Sequence, residues 1–135
     1  SGGGFPGIVV AIIGAELDPQ RCFTFVDSDQ RKCAFLRTVS RELDLSATVL
    51  AARVDEIPPI GATVLTARAL DDLTSLLYHA ERHLLASGTA LFPKGASWQK
   101  ENEEAMKFWS YSLDVISSET NSDATILKIK ELSRV

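Results

Sequence analysis

Across residues 22–132 the sequence switches repeatedly between strand-like runs and a helical period, and that alternation limits the fold more than any other feature. Cys22-Phe23-Thr24-Phe25-Val26 is β-branched and aromatic, bracketed by Pro19 and Asp27, and predicts a buried strand. Residues 29–43 predict a helix with Asp29 as N-cap, Phe35, Leu36, Val39 and Leu43 on one face and Arg37 and Arg41 opposite. Thr48-Val49-Leu50-Ala51 is a second strand, Ile57-Pro58-Pro59-Ile60-Gly61 breaks the chain, and Thr63-Val64-Leu65-Thr66 is a third strand. Residues 71–85 predict a helix striped by Leu73, Leu76, Leu77, Ala80 and Leu84. A strand over 88–92, a helix over 98–109 and strands over 110–118 and 124–132 complete the pattern, the last two joined by Thr120-Asn121-Ser122-Asp123. Such alternation implies an α/β fold whose mostly parallel sheet is covered on both faces, with a C-terminal antiparallel hairpin.

Ahead of these elements stands Ser1-Gly2-Gly3-Gly4-Phe5-Pro6-Gly7, followed by the apolar run Ile8-Val9-Val10-Ala11-Ile12-Ile13. A glycine cluster that opens a helix is usually the second half of a strand–loop–helix unit, because a backbone without Cβ turns sharply and approaches a ligand closely. Pro6 suits the first helical turn, where its missing N–H has no partner to lose. A strand feeding this loop would precede Ser1, so the expectation is a single domain over residues 1–135 that lacks its first strand. A flexible tag would give the same Ser-Gly-Gly-Gly. Asp27 closes the first visible strand 23 residues after Gly4, and nucleotide-binding α/β folds place a ribose-binding acid about 20 residues past the loop. The plainer alternative is that Asp27 ends a strand and caps the next helix. Gly2, Gly4 and Gly7 fit a dinucleotide fingerprint, while Gly2 and Gly4 also fit the last two glycines of an S-adenosylmethionine loop. The loop alone does not choose.

Composition narrows the partners. The 135 residues are 45% hydrophobic and 24% charged, which excludes intrinsic disorder, and no apolar run approaches the ~20 residues of a membrane span. Cys22 and Cys33 argue against a disulfide scaffold and fit a reducing compartment. The glycine-rich start carries no basic stretch, so no secretory signal and a cytoplasmic location are expected. Fourteen Lys plus Arg against 18 Asp plus Glu give a net charge of −4, which as a total disfavours nucleic acid. Placement reverses that inference. Arg31, Lys32, Arg53, Arg68 and Lys94 all fall at strand C-terminal ends or the helix starts beside them, where an open α/β sheet forms its ligand crevice.

The motifs also stand in a familiar order: the glycine loop, then Asp27-Ser28, Arg31-Lys32, Phe35-Leu36-Arg37, Arg53-Val54-Asp55-Glu56, Ala67-Arg68-Ala69 and Lys94-Gly95. In this the sequence resembles the bacterial small-subunit (16S) ribosomal RNA guanine-N7 methyltransferases, the glucose-inhibited division protein B family. The motifs cover residues 1–95; the remaining 40 match only in their helix and hairpin pattern. Ala67 replaces the family's serine and Asp55 a glutamate. The resemblance implies a Rossmann-like class I fold, S-adenosyl-L-methionine as cofactor, and a guanine N7 of 16S ribosomal RNA, free or in the small subunit, as acceptor. It implies that Gly2, Gly4 and Phe5 hold the methionine portion, that Asp27 holds the ribose, and that Val54 and Asp55 border the adenine. Arg68 would sit at the mouth between cofactor and RNA. No catalytic base is assigned, since N7 has a free lone pair and positioning can supply most of the acceleration.

Arg68 could instead pair with Asp71 or Asp72 and only steady the next helix. A methyltransferase acting on a small molecule, or a truncated, non-catalytic binding domain, are the alternative functions. His79 and His83 lie four apart but in no zinc-protease motif, so packing or solvated histidines and no metal are expected. Glu101, Glu103 and Glu104 read as a solvated helix face, and Trp98, Phe108 and Trp109 as packing residues.

Overall fold

The apolar run behind the glycine loop is helical: α1 (Gly7–Leu17) has no charge before Glu16. The computed structural model describes residues 7–68, 70–117 and 123–135, and its contacts divide the chain into two units, Ser1–Ile57 and Pro58–Val135.

In the first unit, α1 is followed by β1 (Phe23–Asp27), α2 (Gln30–Glu42) and β2 (Ala47–Ala51). β1 and β2 are parallel, in register from Phe23 opposite Ala47 to Asp27 opposite Ala51. Ala11, Phe25 and Leu36 form the core, with Ile8, Phe23, Leu45, Ala47 and Val49 packed against it. Gly14 permits the close approach of α1 to β1: a Cβ there would stand 2.8 Å from the Phe23 ring. Much of α1 stays outside, with Val9, Val10, Ile13 and Leu17 exposed.

Asp29 caps α2 as expected, its carboxylate accepting from the backbone N–H groups of Arg31 and Lys32. The buried face differs from the expected one. Cys33, Leu36 and Ser40 point inward, while Phe35 is 50% exposed and Leu43 lies outside too. Positions 33, 36 and 40 follow the i, i+3, i+7 rule, and Phe35 falls on the solvent side of that stripe.

The second unit contains β3 (Ala62–Thr66), α3 (Leu73–His83), β4 (Leu84–Lys94), α4 (Trp98–Ala105), β5 (Trp109–Ser117) and β6 (Thr125–Arg134). The strand order is β3-β4-β6-β5; β3 and β4 are parallel, and β6 runs antiparallel to both β4 and β5. This is the mixed sheet with a C-terminal hairpin read from the sequence; most of the turn at 120–123 lies outside the described residues. The leucine stripe of α3 is buried with Ala90, Phe92, Ala105, Trp109, Leu127 and Ile129.

Two boundaries move. β4 begins at Leu84, directly at the end of α3, and runs through Gly88. There a Cβ would meet the Ala62 carbonyl of β3 at 3.1 Å. α4 ends at Ala105, the amides of Met106, Lys107 and Phe108 closing turns onto Asn102, Glu104 and Ala105. Trp109 therefore opens β5, fully buried and edge-on to Tyr78 with ring centroids 4.9 Å apart.

Candidate functional site

In the first unit the candidate residues gather at the carboxyl ends of β1 and β2. Parallel pairing places Asp27 opposite Ala51, and the Ala52 amide donates to the Asp27 carbonyl at 3.1 Å. The Cys33 thiol donates to the same carbonyl at 3.2 Å, so the backbone at Asp27 is fixed from β2 and from α2. The Asp27 side chain is oriented too, its Oδ1 accepting from the Asp29 amide at 2.8 Å. Asp29 in turn caps α2, so Asp27-Ser28-Asp29 turns strand into helix and leaves a half-buried carboxylate at the strand end.

Beyond β2, the Glu56 amide donates to the Arg53 carbonyl at 3.0 Å, and the turn leaves Val54 half-buried and Asp55 exposed. A half-buried carboxylate at the end of β1 and a half-buried aliphatic side chain in the turn after its parallel neighbour β2 thus mark the carboxyl end of this sheet. Arg53 pairs with Asp55 at 3.3 Å and with Glu56 at 3.9 Å. All three side chains are well exposed, so these pairs contribute little stability. Arg31 and Lys32 are exposed on the first turn of α2. Gly2, Gly4 and Phe5 lie outside the described residues.

In the second unit, Arg68 follows β3 and Lys94 ends β4, and the two strands are parallel neighbours. Arg68 is exposed. Its expected helix-side partners are engaged elsewhere: Asp72 caps α3 through the Ser75 amide at 2.8 Å, and Asp71 accepts from the Asp72 amide at 3.0 Å. Among the described residues neither forms an ion pair with Arg68.

Lys94 is not a surface cation. Its side chain is only 11% exposed, and the ammonium donates to Glu101 Oε1 at 2.8 Å and to the Asp71 carbonyl at 3.1 Å. Glu101 therefore leaves the solvated face expected of it, whereas Glu103 and Glu104 remain exposed. The available signal was a lysine closing an apolar strand with an acid in the first turn of the following helix.

The other residues singled out in the sequence have packing roles or lie on the surface. His83 is buried within α3, Cys33 is buried and Cys22 exposed. Among the described residues no group of three or more His, Cys, Asp or Glu could hold a metal, and no helix is long and apolar enough to cross a membrane. Perturbed ionisation lies on other elements. Hydrogen bonding from Arg134 lowers Glu81 and is reciprocated by a raised Arg134, while burial raises the Tyr111 phenol.

The profile of the family described as "rRNA small subunit methyltransferase G" (GidB) matches residues 1–126. A ribosomal RNA small subunit methyltransferase G from Ruegeria pomeroyi is 51% identical over all 135 residues, which span 66% of that protein. The chain thus covers just under two thirds of the length of such relatives. Among solved structures, a SAM-dependent O-methyltransferase from Thermotoga maritima superposes with a TM-score of 0.67 at 11% identity, covering 100% of this chain and 59% of that one. TYW2 from M. jannaschii, solved in complex with AdoMet, gives 0.62 at 9% identity, covering 92% and 63%. At such identities the likeness shows the fold: a class I, Rossmann-like methyltransferase architecture.

Proposed function

The chain belongs to the rRNA small subunit methyltransferase G family, and from that premise we propose that it transfers a methyl group from S-adenosyl-L-methionine to N7 of a guanine in 16S ribosomal RNA, in the cytoplasm. The observation that carries this reading is the 51% identity over the whole chain to a protein of that name. Residues 1–135 are read as one methyltransferase domain.

When bound, the cofactor supplies an electrophilic methyl on a positively charged sulfur. Asp27, held at the end of β1 by the Asp29 amide, accepts hydrogen bonds from the ribose hydroxyls. Val54 gives the adenine an apolar border, and Asp55 lies beside it. The loop at Gly2, Gly4 and Phe5, with the N-terminus of α1, receives the methionine carboxylate. Guanine N7 attacks with a lone pair and carries no proton, so the chain needs no general base, and its contribution is positioning. Arg68 holds the acceptor through guanine O6 or a phosphate, leaving N7 open. Arg31, Lys32 and Arg53 meet the RNA backbone, and Lys94 serves the Arg68 side from within its own unit.

Incubation with methyl-labelled cofactor and either small ribosomal subunits or their RNA tests this. Label is expected in the RNA, and Arg68→Ala is expected to lower the rate with little change in cofactor affinity. Label in small molecules alone would assign the chain a different acceptor. Cofactor binding without any transfer would make it a binding domain.

A further inference from the structure

A lysine gives up much rotamer freedom when fixed, and an ammonium shielded from water must be paired. Lys94 meets both costs with two acceptors, Glu101 Oε1 and the Asp71 carbonyl. The same Glu101 Oε1 accepts from the Leu73 amide at 3.1 Å. That amide opens α3 and has no acceptor within its own helix. One carboxylate oxygen thus joins the end of β4, the first turn of α4 and the entry to α3. Arg68 lies just past β3, three residues before Asp71 and five before Leu73, so the segment that carries it is anchored by β3 on one side and by this junction on the other.

We propose that Lys94 and Glu101 are positioning residues, a part-buried clamp that holds the β3–α3 connection so that Arg68 meets the acceptor base. Lys94 then acts on RNA methylation through this clamp and not by touching phosphate. Withdrawing its ammonium to reach RNA would take the charged partner from a part-buried Glu101 carboxylate and leave it the Leu73 amide alone of these two donors. The inference rests on the RNA reading above.

The test is steady-state methyl transfer to small-subunit RNA with Lys94→Met, Glu101→Ala and Glu101→Gln, each alone and combined with Arg68→Ala, alongside amide hydrogen exchange. Lys94→Met and Glu101→Ala are expected to lower kcat on the order of tenfold, the scale of a small misplacement, while KM for RNA and cofactor affinity hold within about twofold. Glu101→Gln keeps an acceptor oxygen and is expected to recover most of the loss. In the Arg68→Ala background the clamp variants are expected to add almost nothing. Exchange at Leu73 is expected to quicken in Glu101→Ala.

Full additivity with Arg68→Ala would overturn the proposal. So would a higher KM for RNA with a salt slope reduced by about one, the mark of a lost phosphate contact. Should Lys94→Met fail to fold, the Glu101 pair of variants carries the same comparison. Should the wild-type chain methylate no RNA, the RNA reading fails on its own, and unchanged exchange at Leu73 in Glu101→Ala would still sink the clamp.

Discussion

In residues 58–135, Phe92, Trp109 and the leucines of α3 anchor a core of ten sealed side chains, whereas in residues 1–57 only Ala11, Phe25 and Leu36 are clustered so, among the described residues. The smaller core belongs to the unit that carries Asp27, Val54 and Asp55. Its order comes from polar contacts to the backbone: Asp27 accepting from the Asp29 amide, Asp29 capping α2, and the Cys33 thiol bonding the Asp27 carbonyl. The larger unit is held by burial and carries the arginine assigned to the acceptor. A unit tied by short-range hydrogen bonds and a unit built on a packed core respond to different perturbations.

The largest effect is expected from the cores. Phe92→Ala should cost about 3–5 kcal/mol and Leu36→Ala about 2–5 kcal/mol. Two probes separate them, because Trp98 and Trp109, the chain's two tryptophans, both lie in the second unit. In urea, Phe92→Ala should move the tryptophan-fluorescence transition. Leu36→Ala should move the far-ultraviolet circular-dichroism transition and leave fluorescence in place. If Leu36→Ala shifts both probes together, the two units unfold as one and the contrast fails.

A smaller effect is expected at the cap. Asp29→Ala removes the acceptor for two amides of α2 and should cost about 1 kcal/mol, read in the same circular-dichroism transition. The smallest belongs to Glu81. Hydrogen bonding from Arg134 holds its carboxyl below the ordinary value of 4.5. A carboxyl lowered in the folded state adds stability above that ordinary value and loses it as the pH falls through the folded one. Glu81→Gln should therefore flatten the acid side of the stability–pH curve slightly, since the pair is exposed. Thermal melts between pH 3 and 6 (roughly the carboxylate range) check this, and an unchanged acid limb would deny the pair any part in it.

The strand and helix succession was legible in the sequence because it rests on local periods and caps, with Asp29 and the α3 leucine stripe the clearest cases. Segment ends were less legible. Trp109 continues a helical pattern by composition, yet burial against Tyr78 pulls it into β5. Phe35 misled for a related reason: its neighbour Leu36 satisfies the same apolar pattern one position further round α2 and takes the inner face.

At the candidate site, Asp27 could be singled out as a candidate because loop-to-acid spacing is a sequence quantity. Glu101 was less legible, because its two donors, the Lys94 ammonium at the end of β4 and the Leu73 amide opening α3, come from different elements and only the tertiary fold brings them to one oxygen. Net charge concealed the basic residues for the reverse reason: it sums over the chain what the strand ends concentrate.

The most direct test of guanine-N7 methyl transfer is to identify the modified nucleoside. Small-subunit RNA methylated by this chain with labelled cofactor should yield, on complete digestion, label in 7-methylguanosine. Label in a guanine methylated on its exocyclic amine, or in another base, would contradict the assignment, as would RNA that stays unlabelled while the chain binds cofactor.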